Sequence, residues 1–121
     1  MRTIDISVQV DAANAKQEAT RALEARKFRL SWQDEWSGTA ERGNKVANVL
    51  AGALAQYFNV GVRIFTGPSG EVVVRFEQGS RGFMGGGIGA MRTKRNMDAL
   101  RDEVSSSFRE RGILIGVSET S

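Results

Sequence analysis

The sequence predicts an α+β fold: a single antiparallel sheet of about four to five strands with two long helices packed on one face. Three observations carry this. Residues 2–10, 57–66 and 71–78 alternate apolar and polar side chains at period two. Residues 12–27 and 90–111 repeat apolar side chains at helical spacing. The stretch "TGPSGE" joins two of the alternating runs as a β-hairpin, which requires antiparallel pairing. With 121 residues the chain is expected to form one domain, 1–121, ending in a flexible tail at 117–121.

The first strand sets Ile4, Ile6, Val8 and Val10 on one face and Thr3, Asp5, Ser7 and Gln9 on the other, so one face is buried and one is wet. The helix that follows has Asp11 as its N-cap and an inner stripe of Ala12, Ala15, Ala19, Ala22 and Leu23. Over 28–42, Phe28, Leu30 and Trp32 alternate with Arg29, Ser31 and Gln33. This segment reads equally as one bulged strand or as two strands meeting in a turn around Asp34-Glu35. Trp32 and Trp36 are assigned to the core.

The period changes at "GNKVANVLAGALAQYF", where Val46, Val49, Leu50, Ala53 and Leu54 recur at helical spacing. A short helix at 45–56 is the leading reading there and an irregular loop the competing one. The hairpin places Phe58, Val60, Val62 and Ile64 opposite Val72, Val74 and Phe76. Its outer face mixes Arg63, Arg75 and Glu77 with Tyr57, Phe65 and Val73. The second long helix buries Met97, Leu100, Val104 and Phe108, and Gly112 terminates it. "ILIGV" reads as a final short strand. The β-α-β-β-β-α order is similar to that of ferredoxin-like and TBP-like sandwiches, a likeness of topology alone that leaves function open.

The chain has no cysteine and no histidine. Triads built on histidine, cysteine–histidine pairs and the usual zinc ligand sets are therefore excluded, which argues for a non-enzyme without a metal or cofactor. The adjacent carboxylates Asp34-Glu35 and Asp102-Glu103 diverge on either a strand or a helix and make no acid/base dyad. The opening residues lack the continuous apolar run of a signal peptide, and Asn48, Gln56, Asn59 and Arg63 interrupt the longest apolar-leaning stretch. A cytoplasmic protein is expected, with peripheral membrane contact left open.

The segment "GSRGFMGGGIGAMRTKR" (79–95) is the candidate site. A phosphate-binding Walker loop starting at Gly82 would reach Gly87, but Ile88-Gly89 stand where Lys-Ser/Thr is required. The dinucleotide fingerprint fails on spacing and on its place after an antiparallel hairpin. The cations Arg81, Arg92, Lys94, Arg95 and Arg101 face Asp98 alone between residues 81 and 101. With the helix beginning at 90, three of them occupy its first turns and oppose the dipole. Phe83, Met84, Ile88 and Met91 form an apolar contact tip, and Gly82, Gly85, Gly86, Gly87 and Gly89 give the loop its freedom.

The resulting expectation is a binding or assembly module. Its partner is a protein, a second copy of the chain or an anionic membrane surface, contacted through 79–95. The alternative is a phosphate ligand or nucleic acid held at the same helix start.

Overall fold

The computed structural model describes residues 2–43, 58–79 and 87–120, and for 87–92 the backbone. The described residues form β1 (Thr3–Val8), α1 (Ala12–Ala25), β2 (Arg29–Trp32), β3 (Ser37–Arg42), β4 (Phe58–Thr66), β5 (Val72–Gln78), α2 (Gly87–Glu110) and β6 (Leu114–Thr120). All six strands join one sheet in the order β2-β3-β4-β5-β1-β6, and every neighbouring pair is antiparallel. The α+β class follows as expected, with one or two strands more than the sequence suggested. Residues 45–56 lie outside the described residues.

Alternation decides which face is buried. Ile4, Ile6 and Val8 of β1, Phe58, Val60, Val62 and Ile64 of β4, and Val74 and Phe76 of β5 are all buried. They meet Ala15, Ala19, Ala22 and Leu23 of α1 and Met97, Leu100, Val104 and Phe108 of α2. The alanine stripe lets α1 lie close on the sheet, while α2 brings large side chains. Fully burying one such large side chain stabilises by about 1.5–3 kcal/mol. Among the described residues no helix is long and apolar enough to cross a membrane.

The helix ends are fixed locally. The Asp11 carboxylate accepts from the Asn14 amide at 2.8 Å, satisfying a first-turn donor of α1. Both helices close with the same Schellman pattern. In α2 the Ile113 amide donates to the Phe108 carbonyl at 3.0 Å, and that of Gly112 to Arg109 at 3.0 Å. Gly112 sits at φ 73°, where glycine carries no Cβ penalty. In α1 the Phe28 and Lys27 amides make the corresponding bonds to Leu23 and Glu24, and Lys27 adopts φ 71° without being glycine.

The 28–42 segment is two strands. Gln33 and Asp34 turn the chain by donating to the Ser37 carbonyl, and the Asp34 carboxylate accepts from the Trp36 amide at 2.8 Å. Trp32 lies across from Gly38, where an added Cβ would come within 2.9 Å of the indole. Trp32 and Trp36 are partly buried against the core rather than inside it. Lys16 of α1 reaches over them: its Nζ lies 4.4 Å from the Trp32 ring centroid, 5.6 Å from that of Trp36, and donates to the Glu35 carbonyl at 2.6 Å. Lys16 thereby fastens the hairpin to the helix layer.

The other correction concerns the chain end. Val117–Thr120, expected as tail, continues β6 beside β1, with Ile6 opposite Val117 and Thr3 opposite Thr120. Ladder bonds and a long-range ion pair hold this polar stretch, and neither leaves an apolar pattern in the sequence.

Candidate functional site

The start of α2 is the part of the candidate site that can be described. The helix begins at Gly87 rather than at residue 90. Arg92, Lys94 and Arg95 are then its sixth, eighth and ninth residues, and its first turn is Gly87, Ile88, Gly89 and Ala90. The helix dipole acts mainly within the first turn. The expected opposition between these cations and the dipole is correspondingly weaker, as is the case for a phosphate held jointly by the first-turn amides and the cations. Arg81, Gly82, Phe83, Met84, Gly85 and Gly86 lie outside the described residues. Gly87, Ile88, Gly89, Met91 and Arg92 are on the helix backbone. Lys94 and Arg95 are exposed.

Lys94 belongs to an ion network that joins α2 to both strands at this side of the sheet. Its Nζ lies 3.0 Å from Asp98 Oδ2. Arg2, just before β1, places Nη2 2.6 Å from Asp98 Oδ1 and donates from Nε to Glu119 Oε1 at 2.7 Å. Arg101 donates to Glu119 Oε2 at 2.8 Å and to Asp102 Oδ1 at 2.9 Å. Hydrogen bonds from Arg2 and then Lys94 hold the Asp98 carboxyl below its ordinary pKa. Those from Arg101 and then Arg2 do the same for Glu119, against a desolvation that raises it. Three cations thus meet three carboxylates. Arg95 is exposed and has no ion pair among the described residues.

Asp102 and Glu103 of α2 turn apart. Asp102 turns to Arg101, while Glu103 points across to Arg26 of α1 at 3.3 Å. Among the described residues no group of three acidic side chains is arranged to hold a metal ion. A shallow groove of about 180 Å³ between α1 and α2 is walled by charge, with Arg111 and Glu18 paired across it at 2.8 Å.

The sheet face turned away from the helices is polar and internally neutralised. Arg63 and Arg75 are direct cross-strand neighbours, an arrangement that repels by itself. Arg75 is held by a bidentate pair to Asp5 at 2.7 and 2.9 Å and stacks 4.7 Å from the Phe65 ring centroid. Arg63 leans toward Glu77 at 3.9 Å. Val73, expected on this outer face, is nonetheless buried, with Phe65 directly across from it.

One surface was not singled out by sequence reasoning. Among the described residues the exposed large hydrophobics are Ile115 and Val117, 55% and 40% exposed, and both lie on β6. The signal was present in "ILIGV", but an apolar run reads as buried strand whether or not a neighbour covers it. No protein-family model matches the chain, and no curated protein is significantly similar to it.

Proposed function

We propose that the protein is a non-catalytic binding or assembly module that contacts a protein partner or an anionic membrane surface through 79–95. The supporting observation is the distribution of charge along α2. Arg101 is bound to Asp102 and Glu119, whereas Lys94 keeps three quarters of its side chain in solvent and Arg95 has no ion pair among the described residues. This basic stretch directly follows the glycine-rich segment, whose Phe83, Met84, Ile88 and Met91 are of the kind that enter a headgroup layer or adapt to a protein surface.

The triple reversal R92E/K94E/R95E tests it. Each cation near an anionic surface contributes roughly 1 kcal/mol. Binding to phosphatidylserine–phosphatidylcholine vesicles, or to a protein partner captured by the wild type, should therefore weaken at least about a hundredfold. Unchanged binding by a variant with an intact circular dichroism spectrum rejects the proposal. Loss toward vesicles alone marks a membrane contact, and loss toward the protein alone marks a protein contact.

A further inference from the structure

We infer that Trp32, Trp36 and the Glu35 carbonyl form a receptor for a lysine ammonium group, filled in the free chain by Lys16 and entered by the lysine of a partner protein that displaces it. The inference concerns the turn between β2 and β3, separate from 79–95, and does not depend on the function proposed for that segment.

Three groups converge on one ammonium. The Lys16 Nζ lies 4.4 Å from the centroid of the Trp32 ring and 5.6 Å from that of Trp36. Both distances fall in the range at which the negative face of an indole attracts a cation. The same ammonium donates to the Glu35 carbonyl at 2.6 Å. That carbonyl selects the ligand class: it needs an N–H donor, which a primary ammonium supplies and a quaternary one lacks. The exposed Asp34 and Glu35 belong to the same turn and give its rim two negative charges.

The receptor is built without Lys16. The Ser37 carbonyl accepts from the Gln33 and Asp34 amides at 2.9 and 3.2 Å, and the Asp34 carboxylate accepts from the Trp36 amide at 2.8 Å. The Trp36 carbonyl in turn accepts from the Ile64 amide of β4 at 2.9 Å. Trp32 is packed over Gly38, and both indoles rest against the core. Backbone bonds and packing thus fix both rings and the carbonyl in place, so they keep their positions when the lysine leaves.

Lys16 itself is held less firmly. Its ammonium sits at the end of a flexible four-carbon stem, and staying in the receptor costs that stem its rotamer freedom. It borders a surface groove along α1 that is lined, among the described residues, by Ala13, Gln17 and Thr20. A lysine arriving along this groove offers the rings and the carbonyl the same chemistry as the resident one. Lys16 is therefore a competitor built into the site, and its tether sets the affinity that a partner must exceed.

Trp32 and Trp36 are the only tryptophans of the chain, so both indole N–H signals in its NMR spectrum report on this turn. The probe is Nα-acetyl-lysine methylamide, titrated at constant ionic strength into the wild type, Lys16→Ala and Lys16→Gln. Both variants should stay folded, and their indole signals should shift saturably. The wild type should need at least about tenfold more probe, because its own lysine is tethered at a high effective concentration. Nα-acetyl-norleucine methylamide, which lacks the ammonium, should leave the signals in place, and tetramethylammonium, which lacks the N–H donors, should bind more weakly than the probe. Folded variants whose indole signals ignore the probe overturn the inference, as does a wild type that binds it as tightly as they do. So does loss of the folded spectrum in both variants, since the turn must then depend on Lys16.

Discussion

β2 and β6 end the same sheet in opposite ways. β2 is four residues long, carries the exposed Arg29, and runs into a tight turn that Lys16 clamps onto Trp32 and Trp36. Its large side chains are turned inward against the core. β6 is seven residues long, carries exposed Ile115 and Val117, and is tied down by ions that leave its outer side untouched. The first edge is short and carries an exposed charge, whereas the second is longer and has a register shift near its start and the single charge Glu119. The two edges are therefore held by different interactions, a cation–π clamp at β2 and an ion network at β6, and each can be perturbed without the other.

The largest folding effect is expected at β2. Trp32→Ala removes a partly buried indole and the cation–π contact with Lys16, and should cost about 2–3 kcal/mol by denaturant titration. A smaller and pH-dependent effect is expected at β6. Asp98 and Glu119 have folded-state pKa values below their unfolded ones. Their contribution is complete above the unfolded values and is lost as pH falls through the depressed folded ones. Stability should thus decline below about pH 4. Amide signals of Ser118–Thr120 should shift in NMR spectra over that range before those of β2. An acid response led by β2 would contradict this division of roles.

The parts of this contrast visible in sequence were those with local causes. Alternation marked β1, β4 and β5, because their side chains divide between core and solvent at every second residue. The helical stripes marked α1 and α2, and Asp11 and Gly112 marked two of their ends. The β2–β3 turn was ambiguous because Trp32 and Trp36 suit either one strand or two. What divides them is the Asp34 side chain bonding the Trp36 amide, together with Lys16 from another element. Residues 117–121 read as tail because the anchor there, Glu119, finds Arg2 at the far end of the chain. Glycines concealed the first turn of α2, since they weaken helix propensity. At the candidate site, helical spacing offers Asp98 to either Lys94 or Arg95, and the structure pairs it with Lys94. The sharing of Asp98 with Arg2 was not. Edge exposure was also illegible, because it depends on where β6 stands in the sheet.

The ion network at β6 is tested most directly by amide hydrogen exchange. Arg2 pairs with both Asp98 and Glu119. Arg2→Ala should therefore speed exchange of the Ser118–Thr120 amides at neutral pH and leave the β2–β3 ladder unchanged. Unchanged exchange at Ser118–Thr120 in a folded Arg2→Ala protein, or faster exchange led by β2, would contradict the account.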